Sequence, residues 1–323
     1  MRRHLLALLA VFSLTAGADD NWTPFPHDQS SFDYSGDKLR QAWPQLTRGF
    51  GANYPFPDAE WVVEMATRNP KALELTVGAA SGQSGYSGKP EEAERYASQL
   101  QDVWRLVFRG DFAQAKRQGL ELGVGGQIPA MFAQVVYAMF LVPEQAEKHR
   151  LLEEVITYTD QAGELVQADN AAQFGRVYAK ARLGEELSIA VVLKRGYTSQ
   201  IPEELDALLA KEPRLPFALA LYGGYEAGVI RKVGKLVGKM TYGVSAAQME
   251  EYFARAFKEA ELPIGHYEYA NALSYVYGDD EQDKALEHLR RAVAIKPISA
   301  MEALEVAHAK KLLSQYEQQL ANN

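Results

Sequence analysis

Arg231, Lys232, Lys235 and Lys239 crowd one short stretch of the chain, with Val233, Leu236, Val237 and Met240 between them, in a protein whose formal charge is −8. A local cationic and apolar stripe in an acidic chain suits an anionic or carboxylate-bearing partner. The plainer alternative is a helix whose lysines are solvated. Further on, Tyr267, Tyr269, Tyr275 and Tyr277 share one segment with His266 and Asn271, and Tyr242 and Tyr252 precede it. Tyr combines apolar area with a hydroxyl, a combination that peptide and small-ligand grooves use, although it also serves a core. The candidate partner-binding set is therefore Arg231, Lys232, Lys235, Lys239, Tyr242, His266, Tyr269 and Asn271.

Chemistry that depends on fixed spacing is not legible. The absence of Cys excludes disulfides, a thiolate nucleophile and Cys-ligated metals. His27, His149, His266, His288 and His308 form no paired zinc motif with an intervening Glu. The segment Gly85-Tyr-Ser-Gly88-Lys89-Pro90 has Gln83 where a phosphate loop needs Gly, and Pro90 where it needs Ser or Thr. Gly123-Val-Gly125-Gly126 lacks the third glycine of a dinucleotide fingerprint, and no Gly-x-Ser-x-Gly elbow occurs. Asp279-Asp280-Glu281 with Asp283 lacks the central Gly and distal Glu of a calcium loop, and acids there suit a helix start. No catalytic residue, cofactor or metal is expected. Separated carboxylates meeting in space leave an envelope glycan-acting enzyme as an alternative.

These residues sit on elements that read as helices. Leu100, Val103, Trp104, Val107 and Phe108 recur at three- and four-residue spacing. Further helices are expected at 128–142, 144–165, 171–193, 202–211, 216–230, 246–260, 264–277, 282–295 and 300–320, punctuated by Gly, Pro or Asp/Asn. No run alternates at period two for long enough to make a strand. Before them, 19–57 is crowded with aromatics and prolines, Asp58 is placed to cap a helix that Asn69-Pro70 ends, and 78–90 reads as a Gly/Ser loop. Residues 1–18 combine Arg2-Arg3, an apolar run from Leu5 to Leu14 and Ala16-Gly17-Ala18, the pattern of a secretory signal cleaved before Asp19. The expected organisation is a signal peptide at 1–18, an irregular segment with short helices at 19–90 and a helical-repeat domain at 91–323.

In the segment from His266 to Ser299, Ala272, Ala285, Leu289, Ala292 and Pro297 follow the small, large, small, Pro order of a tetratricopeptide repeat. Pro263 precedes Pro297 by 34 positions, the period of that repeat. Phe108-Arg-Gly-Asp-Phe112-Ala-Gln-Ala115 and the stretch from Leu208 to Gly223 carry partial matches. The chain thus resembles the tetratricopeptide-repeat family, which implies an all-α solenoid of antiparallel helix hairpins. Ala270 and Ser274 stand where chaperone-binding members carry Lys and Asn, so a carboxylate clamp is not implied. The distance from Pro213 to Pro263 exceeds one period, and the excess falls at Ile230–Gly243, the basic stripe. Gly224, Gly228, Gly234 and Gly238 recur along it, a spacing that allows close helix contact.

The leading functional expectation is an exported, non-catalytic scaffold, periplasmic or secreted, that binds a protein or peptide partner of the cell envelope. An anionic small ligand is a further possible partner. Nucleic acid is disfavoured by the charge, and no membrane span is expected. A second expectation follows from the glycine-rich helix around Leu221–Ile230 and from Gly265-His266 opening a repeat. These are similar to the helical-repeat accessory proteins of tripartite ATP-independent periplasmic (TRAP) transporters, which implies a small-ligand-binding accessory of a transporter. Those proteins are typically lipidated at a Cys, which this chain lacks.

Overall fold

The computed structural model describes residues 22–68, 89–161 and 168–322. The expected signal peptide and most of the Gly/Ser loop lie outside those residues. Among the described residues there is no strand, and no helix is long and apolar enough to cross a membrane. The short N-terminal helices are α1 (Lys38–Leu46) and α2 (Ala59–Arg68). Next come α3 (Pro90–Arg109), α4 (Phe112–Glu121), α5 (Val124–Phe140), α6 (Gln145–Gln161) and α7 (Asn170–Glu186). A single-turn-plus helix α8 (Ile189–Lys194) precedes α9 (Tyr197–Lys211) and α10 (Pro216–Val237). The chain finishes with α11 (Ala246–Glu259), α12 (Pro263–Tyr277), α13 (Gln282–Ala294) and α14 (Ala300–Asn322).

Local chemistry sets most boundaries. Asp58 and Asp169 accept backbone N–H bonds from Trp61 at 3.1 Å and Ala172 at 2.9 Å, capping α2 and α7. Gly110 ends α3 with φ +98°, a conformation that glycine adopts without a Cβ penalty. The helix expected over 171–193 is two elements: α7 stops at Glu186, and Ser188 accepts from Val191 N–H to start α8. A competing side-chain cap inside an apolar run makes that break. Helix α9 begins five residues before Pro202, after Gly196 (φ +70°) turns the chain, and the Thr198 carbonyl that Pro202 has no N–H to bond accepts instead from the Tyr225 hydroxyl at 3.2 Å.

The helices pair as hairpins, α3 with α4, α5 with α6, α7 with α9, α10 with α11 and α12 with α13, and successive hairpins stack. Helices α3, α5, α7, α10, α12 and α14 form the inner row, each packing on the next. The row closes on itself: α14 packs against α3 and α5. The all-α hairpin architecture expected from the sequence is present, bent into a ring.

Close approach within the α10–α11 hairpin depends on Gly223, where a Cβ would stand 2.6 Å from the Phe253 ring. Of the recurring glycines expected to allow such contact, Gly228 and Gly234 face open space and Gly224 meets only Glu268 at 4.0 Å, whereas Gly238 packs closely on Val244, where a Cβ would stand at 3.0 Å. The extra residues between repeats form a projecting ridge. Helix α10 kinks at Gly234 (φ +81°) and runs into a π-turn over Gly238–Tyr242, which Gly243 (φ +71°) ends.

The aromatic N-terminal segment is part of the core. Trp22 stacks on Tyr137 with ring centroids 3.9 Å apart, and Trp43 packs against Tyr54, Phe56, Trp104 and Phe108. The Tyr34 hydroxyl donates to the carbonyl of Ile298, just before α14.

Candidate functional site

The inner row borders a central, partly open cavity of about 60 Å³. Helix α5 contributes Ile128, Met131, Phe132, Val135, Val136, Met139 and Phe140, one face of a helix that is apolar nearly all round. Helix α7 adds Phe174, Gly175, Tyr178 and Arg182, α10 adds Phe217 and Leu221, α12 adds Ile264 and Glu268, and α14 adds Met301 and Glu305.

One end of the cavity is closed by the N-terminal segment. Phe50 sits among Phe132, Phe174 and Phe217, with ring centroids 5.4, 6.1 and 5.1 Å away. Its neighbour Gly49 must be glycine, because a Cβ would come within 2.1 Å of the Phe217 ring. Arg182 lies eight residues along α7 from Phe174, about 12 Å at the helical rise. There Arg182 and Glu268 keep 11% and 13% of their side chains exposed, which marks the wetter end.

Four carboxylates stand in or beside this apolar wall with two arginines. Arg182 donates to Glu268 at 2.7 Å and to both oxygens of Glu185 at 3.0 Å, and lies over the Tyr178 ring at 4.8 Å. Burial works against its charge, but the carboxylates outweigh that and hold it protonated. Burial pushes the Glu268 carboxyl upward, with Arg182 pulling the other way. Arg48 pairs with Glu302 at 2.6 Å. Glu305 is different. It is 3% exposed, and its Oε2 is buried with no hydrogen-bond partner. Burial raises its pKa well above the ordinary carboxyl range, the Glu302 charge adds to that, and the N–H of Ile264 at the start of α12 opposes it.

Compared with known families, curated proteins and solved structures, the chain matches none. The site is read from its own geometry.

None of the eight residues singled out from the sequence lines this cavity. Arg231 lies over the Tyr275 ring at 4.3 Å and Lys235 over the Tyr277 ring at 4.7 Å, both on the ridge side of α12. Lys232 donates to the carbonyls of Gly184 and Leu187 at 2.7 and 2.9 Å, closing the C-terminal end of α7. With Tyr242 it lines a second pocket between α7, α8, α9 and α10. Lys239 is exposed on the ridge.

His266 is buried inside the α12–α13 hairpin, its Nδ1 2.8 Å from Nδ1 of His288 and its Nε2 2.9 Å from Glu261. Tyr269 is buried beside it, 4.7 Å from the Phe253 and His288 rings. Asn271 donates to the carbonyl of Tyr267 on its own helix.

Sequence reasoning missed Arg182, Glu268 and Glu305. A signal existed, because Met301, Glu305, His308 and Leu312 fall at helical spacing on one side of α14, and Ile264 and Glu268 do so on α12. A carboxylate within an apolar stripe is the mark of a buried polar group.

Proposed function

We propose that the protein is a binding protein that holds a small molecule with an apolar body inside the central ring, without converting it. The observation that carries this is the cavity itself: five helices turn mostly apolar side chains, with a few polar groups among them, toward one central space. Glycan chemistry is poorly served by such a wall, since sugars require many polar partners. The repeat-like residues of 266–299 support a tetratricopeptide-like origin, and the basic, Leu-rich first residues support export to the periplasm. Ligand capture there suits an accessory of a transporter.

Gly175 provides the test. It lines the cavity, and a Cβ there meets nothing within 4 Å, so a larger side chain grows into the space rather than into the wall. The wild-type protein is expected to take up a neutral fluorescent probe, N-phenyl-1-naphthylamine, and to release a bound metabolite to mass spectrometry after denaturation. Gly175→Leu should weaken probe uptake about tenfold or more while folding at least as stably, since Leu is the better helix former. Uptake equal in the two proteins would overturn the reading.

A second reading has its own observation. On the ridge, Leu236 and Met240 are 72% and 79% exposed beside Lys235 and Lys239. This mixed surface suits a protein or peptide partner with acidic and apolar side chains. Binding of an acidic amphipathic peptide that is unchanged in the double variant Leu236→Ser/Met240→Ser would remove it.

A further inference from the structure

The exposed apolar side chains of this protein gather on one face. Of the eight large ones left exposed among the described residues, Ile189 and Leu193 belong to α8, and Leu236, Val237 and Met240 to the ridge. A sixth, Tyr275, lies under Arg231 beside the ridge. None of the six residues of α8 is buried, although five of them are apolar. The two elements are neighbours: Ile189 and Val192 of α8 line the second pocket together with Val229 and Val233 of α10. Lys232 also ties the foot of the ridge to the Leu187 carbonyl, two residues before α8 begins.

The same face is cationic. Residues 187–202 and 227–249, which contain α8 and the ridge, include Lys194, Arg195, Arg231, Lys232, Lys235 and Lys239 and no Asp or Glu, in a chain of charge −8. Arg195 pairs with Glu153, and Lys232 is held by helix-end carbonyls. Lys194, Arg231, Lys235 and Lys239 have no ion-pair partner among the described residues. Two carboxylates border the face, and both are engaged elsewhere: Glu185 by Arg182, and Glu250 by Tyr277 and Lys284. One solvated lysine says little, but cations without acids along both apolar elements make a surface of one sign.

Independently of the cavity reading, we propose that this face docks the protein onto an anionic bilayer surface, lying on it without crossing it. The composition favours a bilayer over a protein partner. Protein interfaces are depleted in Lys, and their energetic centres use Trp, Tyr and Arg rather than Leu and Val. Here the exposed tips are Leu, Val, Ile and Met, and three of the four unpaired cations are Lys. Aliphatic tips need no shape-matched pocket when they enter hydrocarbon, and Lys stems run along apolar surface while their ammonium groups reach lipid phosphates. In the docked state Leu236 and Met240 enter the boundary of the acyl chains, and Lys235 and Lys239 meet the headgroups. Helix α8, with Lys194, makes the second contact.

Sedimentation with sucrose-loaded vesicles tests the proposal. Wild type should partition onto vesicles of mixed phosphatidylcholine and phosphatidylglycerol about tenfold more strongly than onto phosphatidylcholine alone, and high salt should shrink the difference. Lys235→Gln/Lys239→Gln and Leu236→Ser/Met240→Ser should each lower that binding about tenfold, with unfolding midpoints like that of wild type. Lys310→Gln/Lys311→Gln removes the same charge from exposed positions on α14 and should bind as wild type does. Wild type without a preference for the anionic vesicles overturns the proposal. So does a Leu236→Ser/Met240→Ser protein that binds them unchanged, or an α14 variant as impaired as the ridge variants. Binding of an acidic amphipathic peptide without binding of vesicles assigns the face to a protein partner and overturns it as well. All these outcomes are separate from probe uptake by the central cavity.

Discussion

Arg182 in the cavity wall and Lys239 on the ridge carry the same charge in opposite surroundings. Arg182 is nearly buried and held by two carboxylates, Glu268 and Glu185. Lys239 is exposed on a projecting turn whose neighbours Leu236 and Met240 are also exposed. Both regions contain charge beside apolar area, and only one confines it. Where water is excluded, a charge must be matched closely, as Arg182 is by Glu268 and Glu185. Where water is present, an unmatched lysine costs little and says little. The dense ridge stood out in the sequence, whereas the scattered residues that line the cavity did not.

Breaking the buried side of that contrast should have the largest effect. Arg182→Ala leaves Glu268 buried beside Glu305 with its cation gone. A loss of about 3–5 kcal/mol in urea unfolding is expected, typical of removing one partner from a buried pair. A loss under about 1 kcal/mol would place this pair with surface ion pairs instead.

The His266–His288 contact extends the comparison to pH. Burial, together with the charges of His266, Arg291 and Lys284 and against the pull of Glu261, lowers the His288 pKa to about 4. His266 is also shifted down, mainly by burial. A histidine kept neutral in the fold gives its full contribution above its unfolded value near 6.5 and loses it as pH falls toward 4. For His288 that linkage amounts to about 3 kcal/mol across the window. Chemical denaturation from pH 7 to pH 4 should show the decline, and His288→Gln should flatten it.

Lys232 lies between the two extremes. Its ammonium bonds two helix-end carbonyls, and burial lowers its pKa. Lys232→Met should cost about 1 kcal/mol, the ordinary worth of such bonds at a partly wet site. The ridge itself should be nearly silent: Lys239→Ala and Met240→Ser are each expected to change stability by no more than about 0.5 kcal/mol in the same unfolding assay. A ridge variant as damaging as Arg182→Ala would erase the distinction between the two regions.

The helices were largely readable because Leu100, Val103, Trp104 and Val107 keep a three- and four-residue beat, and all four are buried. The pairing within 266–299 was readable for a related reason: Ala272, Ala285, Leu289 and Ala292 mark where backbones approach, and all are buried. The break at Ser188 was hidden by apolar residues on both sides. Closure of the ring was hidden more deeply, because it joins α14 to α3 across nearly the whole chain and no local periodicity records such a contact. The cavity shares that origin. Arg182, Glu268 and Glu305 come from three different helices, α7, α12 and α14, so their proximity is a property of the closed ring and of no single segment.

The seam has a consequence for how the chamber comes into being. Tyr34 reaches the Ile298 carbonyl, and Phe25 and Ala300 both press close to Gly110, so the two ends of the chain meet on one side of the molecule. During synthesis the first hairpins emerge with their inner surfaces bare, and the wall carrying Met301 and Glu305 arrives last. A chain cut off before Ala300 would leave an unfinished horseshoe with its oily lining open to water. Enclosure, and with it any capacity to retain a guest, waits on α14, which is made after every other helix of the ring.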